Sequence, residues 1–147
     1  METVVLRNEE SMKSVAERVA GEMESTSVVG VIGGVGSGKT IFAKMLVNAL
    51  GLKTVIVTEC PAEYDGIENA YCLSPEELQT DGLNADVVVM DEVVSDDDFA
   101  ILRSLIASPC VTKVVFVRHA SSVDVVRSVL EPDGAGHGED YLYCLMR

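Results

Sequence analysis

The sequence predicts an α/β protein in which a mainly parallel sheet lies between two layers of helices. Two observations support this fold class. Apolar runs of strand length, such as Val87–Met90 and Val114–Val117, indicate strands that are buried on both faces. Segments with helical periodicity separate these runs, and this alternation is typical of parallel βαβ units. A chain of 147 residues fits one domain, so we expect a single domain over residues 1–147.

The first half of the chain predicts three strands and two helices. The assignments rest on apolar residues at helical spacing, on continuous Val/Ile runs, and on a glycine that closes the second helix. In order, the expected elements are an edge strand at Val4–Arg7, a helix at Asn8–Met23, a buried strand at Val28–Ile32, a helix from Lys39 to Gly51, and a buried strand at Thr54–Thr58.

The second half predicts helices that begin at capping serines. In each case an acidic residue follows the serine three positions later, which is the pattern of a capping box. The expected helix starts are Ser74, Ser95 and Ser121. The expected strands are Val87–Met90, Val114–Val117 and a closing strand at Tyr141–Leu145, preceded by a glycine-rich turn at Pro132–Gly138 that contains His137.

Composition and charge restrict the class of protein. The net charge of −13 argues against a general affinity for nucleic acid, because most of the surface would repel a polyanion. The four cysteines form no C-x-x-C pair, which favours free thiols over a zinc or redox motif. No apolar run approaches the roughly 18 residues that a membrane span needs. Because the start of the sequence also lacks the pattern of a secretory signal, we expect a cytoplasmic protein.

The segment Gly33–Thr40 matches the pattern G-x-x-x-x-G-K-[ST] at every position. Glycines allow the backbone to curl so that successive N–H groups face phosphate oxygens, and the following helix adds its positive dipole end. Lys39 is expected to reach the β- and γ-phosphates of ATP, and the Thr40 hydroxyl to bind Mg²⁺. The expected nucleotide contacts are Gly33, Gly34, Val35, Gly36, Ser37, Gly38, Lys39, Thr40 and Ile41.

Two acidic residues, Asp91 and Glu92, directly follow the predicted strand Val87–Met90. We expect Asp91 to hold Mg²⁺ together with Thr40. Glu92 is expected to polarise the water that attacks the γ-phosphate. The alternative interpretation is a strand that ends in surface acids. A glutamate at this position indicates the P-loop class in which such a residue assists hydrolysis, known as ASCE.

With these motifs the chain resembles the nucleotide-binding core of the secretion ATPases of type II and type IV systems and type IV pili. The segment Thr54–Tyr64 resembles the acidic box of that family, although Cys60 stands where an aspartate is expected. The likeness implies that Glu59 and Glu63 lie near the metal and the attacking water. It also implies that His119, at the end of a strand, senses the γ-phosphate. The resemblance covers residues 28 to about 130.

The sequence leaves other roles for these residues open. Glu59 and Glu63 are alternatively solvated acids of a loop, and His119 an ordinary residue at a strand end. Arg118 is either a surface charge, a sensor of the nucleotide, or a finger that reaches a neighbouring subunit. The family's arginine-supplying domain is missing, so we expect a homo-oligomer or a partner protein to supply arginines.

Three functions are therefore considered. The first is a Mg²⁺-dependent ATPase, which is the interpretation that Glu92 favours. The second is a nucleotide-binding regulatory module that does not hydrolyse ATP. The third is a small-molecule or nucleotide kinase, which needs a lid that brings arginines over the phosphates. Residues 131–140 contain no arginine.

Overall fold

The computed structural model describes residues 2–6, 11–23, 28–78, 83–108, 110–131 and 141–146. These residues form strands and helices in alternation, as the sequence predicts. The strands are β1 (Glu2–Leu6), β2 (Val28–Gly33), β3 (Thr54–Val57), β4 (Ala70–Leu73), β5 (Val87–Met90), β6 (Lys113–His119) and β7 (Tyr141–Met146). The helices are α1 (Met12–Glu22), α2 (Lys39–Leu50), α3 (Asp96–Ala107) and α4 (Val123–Leu130), and a 3₁₀ turn spans Pro61–Tyr64.

The strands form one seven-stranded sheet in the order β1-β7-β2-β6-β5-β3-β4, and every neighbouring pair is parallel. The prediction of a mainly parallel sheet is confirmed. The carboxyl ends of parallel strands meet at one edge, where ligands of such sheets bind. Strand β6 lies between β2 and β5, so the end of β6 separates the glycine-rich loop after β2 from the acidic pair after β5.

Helices cover both faces of the sheet, which gives the three-layer fold of P-loop NTPases. The apolar faces of α1 and α2 pack on one side of the sheet, and those of α3 and α4 on the other. The strands β2, β3, β5 and β7 are buried along their whole length, which explains their continuous apolar runs. Within the described ranges, no helix combines the length and the apolar character that a bilayer span requires.

Two strands differ from the prediction. The edge strand β4 pairs with β3 and was not predicted, because its residues are only partly buried and it lacks a Val/Ile run. The closing strand predicted at Tyr141–Leu145 is confirmed as β7, but its place in the sheet was not predicted. It lies inside the sheet, where it pairs with both β1 and β2. Its six residues are buried, as this interior position requires.

The predicted helix starts have different outcomes. At α3 the capping box is present: the Ser95 hydroxyl accepts from the Asp98 N–H, and the Asp98 carboxylate accepts from the Ser95 N–H. At α4 the capping residue is Ser122 and not Ser121, because the Ser122 hydroxyl accepts from the Asp124 N–H. One position therefore separates the predicted cap from the observed one.

Ser74 and Glu77 exchange the hydrogen bonds of a capping box, as predicted, but residues 75–77 form a turn and not a helix. The other differences concern segments at the limits of the described chain. The predicted helix start at Asn8 and the turn at Pro132–Gly138 with His137 lie outside the described residues. The described part of the first helix, α1, begins at Met12.

A glycine in the middle of β2 allows two central strands to pack closely. Gly30 pairs with Phe116 of β6, and a β-carbon at Gly30 would overlap the fully buried Phe116 ring. The ring therefore uses the space that any other residue at position 30 would fill. This contact fixes β6 against the strand that leads into the glycine-rich loop.

We predict that Gly30→Ala lowers the free energy of unfolding by about 1–3 kcal/mol, because the added methyl group overpacks a core without free space. Denaturant unfolding followed by circular dichroism measures this change. Gly21→Ala is the matched control. No atom lies within 4 Å of a β-carbon there, and alanine favours the helix. Equal stability of the two variants would contradict the close contact between Gly30 and Phe116.

Candidate nucleotide-binding site

The segment after β2 folds into a tight loop that leads directly into α2. Gly36 and Gly38 have φ angles of 74° and 90°, which side-chain-bearing residues rarely adopt. Gly38 is also the N-cap of α2, whose first residue is Lys39. Gly36 and Gly38 therefore have a direct conformational reason. The loop presents its backbone at the positive end of the helix dipole, which is a suitable place for an anion.

The Gly34 carbonyl oxygen organises the interior of this loop. It accepts hydrogen bonds from the Ser37 N–H at 3.2 Å, from the Ser37 hydroxyl at 2.7 Å and from the Lys39 ammonium group at 2.7 Å. The Lys39 residue is only 9% exposed. The ammonium group is therefore held against the loop, beside the first turn of α2.

The carboxylate of Asp91 is held by two hydroxyl groups. The Thr58 hydroxyl donates to one oxygen at 3.0 Å, and the Tyr64 hydroxyl donates to the other at 2.9 Å. Burial raises the pKa of Tyr64 well above its usual value, and the Asp91 charge raises it further. Tyr64 thus remains a neutral donor to Asp91.

This arrangement fits the donor set that a Mg²⁺ ion bound to a nucleotide requires. Thr40 offers a hydroxyl oxygen and Asp91 a carboxylate, and Mg²⁺ completes its coordination with waters and phosphate oxygens. In the part of the chain that the structure describes, no three residues of the types His, Cys, Asp and Glu form a metal cluster. A site that depends on the phosphates of the ligand needs no such cluster.

Glu92 directly follows Asp91 and has an unusual backbone conformation. Its φ angle is 53°, in the left-handed region that residues other than glycine seldom occupy. The next residue, Val93, is fully buried, and its N–H donates to the Val117 carbonyl of β6 at 2.9 Å. The chain thus turns sharply at Glu92, so that this side chain stays exposed at the sheet edge.

A cavity of about 460 Å³ connects the loop with the acidic residues. Three residues from separate segments, Glu63, Glu92 and His119, line it together with the loop. Its remaining lining residues are Val35, Gly36, Gly38, Lys39, Thr40 and Ile41. His119 reaches the cavity because β6 ends beside the loop: it pairs with Gly33 in the register of the sheet.

Among the described residues singled out in the sequence, those outside the lining of this cavity are Gly33, Gly34, Ser37, Glu59, Asp91 and Arg118. Glu59 is exposed and lies outside the lining. Arg118 also lies outside it, because its guanidinium group donates to the carbonyl oxygens of Val93 and Val94 and stacks on the Phe99 ring. A guanidinium group in these contacts does not reach the cavity as a sensor of the nucleotide.

Thr58 and Tyr64, the two residues that hold Asp91, are not among the residues predicted from the sequence. Both occur in the segment Thr54–Tyr64, whose acids form the recognisable pattern, and a hydroxyl group carries no motif of its own. The indication available in the sequence was the position of Thr58 directly after the apolar run of β3. Residues at that position face the ligand edge of a parallel sheet.

Two further cavities differ in their relation to this site. One of about 570 Å³ adjoins it, since His119 lines both, and its other walls include Gly34, Leu145 and Met146. A larger one, of about 940 Å³, lies between α1 and α2 and is lined by none of the predicted site residues. Size alone therefore does not identify the candidate site; the converging polar groups do.

We predict that Glu92→Asn does not destabilise the protein and raises its free energy of unfolding by up to about 1 kcal/mol. Asparagine tolerates the left-handed region, so the backbone strain at this position is reduced. Thermal unfolding measures the difference. The matched control is Glu63→Asn, which also removes a carboxylate from the cavity but at a residue without a positive φ. A Glu92→Asn variant that is less stable than this control would contradict the assigned strain.

Comparison with known proteins gives one partial family match. Residues 6–62 match the model of the family described as "Threonylcarbamoyl adenosine biosynthesis protein TsaE". The match covers less than half of the chain. It includes the glycine-rich loop and ends before Asp91, Glu92 and His119. No curated protein matches the chain significantly.

The family match and the resemblance to secretion ATPases indicate different families. They agree on the coarser assignment, which is a P-loop protein, and the three-layer fold with its parallel sheet agrees with it as well. The chain is therefore similar to P-loop NTPases in its fold and in the loop that follows its second strand.

Proposed function

We propose that the chain is a Mg²⁺-dependent ATPase. The observation that carries the proposal is the shared cavity, which Lys39 and the loop backbone line together with Glu63, Glu92 and His119. Binding groups for a phosphate tail and an acid suited to activate water lie around one space. Together with the adjoining cavity of about 570 Å³, the site has the size expected for a ligand such as a nucleotide.

The loop and Lys39 bind the triphosphate in this proposal. Backbone N–H groups at the start of α2 receive the phosphate oxygens, and the Lys39 ammonium group exchanges its bond with the Gly34 carbonyl for bonds to the β- and γ-phosphates. Such preorganised donors stabilise charge as it moves during transfer. The cost of reorganisation is small because Lys39 already lies at the loop.

Thr40 and Asp91 would hold the metal, which supplies charge neutralisation at the phosphate oxygens. The Glu92 carboxylate then orients a water and accepts its proton as the oxygen attacks the γ-phosphorus in line with the leaving oxygen. Glu63 and His119 lie at the same cavity, where Glu63 assists in placing the water and His119 contacts the γ-phosphate. The left-handed turn at Glu92 keeps its side chain on the ligand side.

One observation favours the alternative of a nucleotide-binding module that does not hydrolyse ATP alone. Among the described residues that line the cavity, Lys39 is the only permanently charged cation, and Arg118 is bound elsewhere. Many phosphoryl-transfer sites need an arginine for fast turnover. A homo-oligomer or a partner protein that supplies this arginine would complete the site.

A kinase would instead transfer phosphate to an added acceptor faster than to water.

We predict that Glu92→Gln retains ATP affinity but loses turnover by about 10²–10⁴-fold, since the amide cannot accept the proton. Calorimetric titration with ATP and a phosphate-release assay measure the two effects. Lys39→Ala is expected to lose binding as well. Glu68→Gln, at an exposed acid outside the cavity, is the matched control with unchanged turnover.

Undiminished hydrolysis by Glu92→Gln would refute the role of Glu92. ATP binding by the parent chain without measurable hydrolysis would support the regulatory alternative instead. If Lys39→Ala bound ATP as well as the parent, the site itself would be wrong.

The process served by this ATPase is a finer proposal. The match to the family of "Threonylcarbamoyl adenosine biosynthesis protein TsaE" supports a role in making that modified nucleoside, while the acidic segment Thr54–Tyr64 resembles secretion ATPases. We favour the first, because a family model supports it over the loop, α1 and α2. Deleting the encoding gene should then lower the cellular content of threonylcarbamoyl adenosine, measured by mass spectrometry, and the Lys39→Ala variant should not restore it. An unchanged content would contradict this role.

A further inference from the structure

Glu92 stands on a short segment that is held from several sides. On its N-terminal side, the Asp91 N–H donates to the Val57 carbonyl at 2.9 Å. On its C-terminal side, the Val93 N–H donates to Val117 at 2.9 Å. A residue with a φ of 53° is strained unless neighbouring contacts impose the conformation. The contacts of the flanking residues therefore hold the backbone of Glu92 in this conformation.

Arg118 supplies two of those contacts. Its Nη1 donates to the Val93 carbonyl at 2.7 Å and to the Val94 carbonyl at 2.9 Å. The centre of its guanidinium group lies 5.3 Å from the centroid of the Phe99 ring, in the first turn of α3. One cation at the end of β6 thus connects the segment after Glu92 with the helix that follows it.

Asp98 holds the same segment from the other side. Its carboxylate accepts from the N–H groups of Val94 and Ser95, each at 2.9 Å. Partial burial opposes ionisation, but these backbone bonds and the nearby Arg118 charge keep the pKa of Asp98 below its usual value. The carbonyls of the segment therefore meet a cation while its N–H groups meet an anion.

We propose that Arg118 is a positioning residue that acts through Glu92. It fixes the segment 93–94 so that the preceding left-handed turn presents the Glu92 carboxylate to the cavity. The inference rests on the proposed ATPase function and deepens it. It also replaces the roles of nucleotide sensor and arginine finger that the sequence suggested for Arg118, because both require a guanidinium group that is free to reach phosphate.

The test compares Arg118→Met with Arg127→Met. Methionine keeps an apolar stem against Phe99 but removes the donors to the two carbonyls. Arg127 is a matched control. Its guanidinium group also stacks on a buried ring, that of Tyr143 at 5.4 Å, and its Nε is buried without a partner, as is that of Arg118. Arg127 lies on α4, away from the cavity.

We expect Arg118→Met to lower kcat by 10-fold to about 100-fold, because displacing a catalytic group by about 1 Å reduces the rate by up to about that factor. The Kd for ATP should stay within twofold. Arg127→Met should lower the melting temperature similarly without changing kcat. Arg118→Lys should restore part of kcat, because an ammonium group can still donate to both carbonyls.

A double-mutant cycle isolates the route through Glu92. In the Glu92→Gln background, Arg118→Met should cause no further loss of turnover, measured with radiolabelled ATP under single-turnover conditions. An additive loss would overturn the inference, because Arg118 would then act on the phosphates independently. A tenfold loss of ATP affinity in Arg118→Met or Arg118→Lys would overturn it as well.

Different experimental results would contradict the positioning role of Arg118 and the proposed ATPase function. If the parent chain does not hydrolyse ATP, the proposed function fails and the positioning role fails with it. If the parent chain hydrolyses ATP and both Arg118 variants do so at the same rate, the function stands and only the role of Arg118 is wrong.

Discussion

The pairing of β6 with both β2 and β5 is the constraint on which the rest of the site depends. It brings the end of β6 between the loop after β2 and the acids after β5. The close contact of Gly30 with the Phe116 ring fixes this pairing inside the core. Because the three strands are parallel, their polar end residues meet at one edge without any loop having to cross the sheet.

The site combines a preformed binding loop with acids that are held by neutral hydroxyl groups. Lys39 is bonded to the loop that it serves, and Asp91 accepts from Thr58 and Tyr64. In a chain with a net charge of −13, a carboxylate without such donors would be costly beside a phosphate tail. The hydroxyl donors disperse that charge without adding a cation that would compete with Lys39 for the phosphates.

The sequence predicted the buried strands and the glycine-rich loop, because each has a local pattern with one physical cause. The prediction failed where contacts with residues distant in the sequence determine the structure. The strand β4 has no apolar run because it lies at an edge, and the interior position of β7 depends on pairing with β1. The role of Arg118 stayed open between a surface charge, a sensor and a finger for the same reason, since its carbonyl partners at residues 93 and 94 are 25 and 24 positions away along the chain. Glu63 and His119 line the cavity, as their predicted roles require. The roles themselves stay proposals.

The position of β7 has a consequence for how the chain acquires its fold during translation. The strand β1 is made early, yet its only partner in the described sheet is β7, which is made more than a hundred residues later. The nascent chain must therefore keep an apolar strand unpaired until residues 141–146 have left the ribosome. Contacts of such long sequence separation slow folding and leave a strand edge open to association with other chains. The ribosome-bound intermediate, and not the finished protein, is the species in which this edge is most exposed.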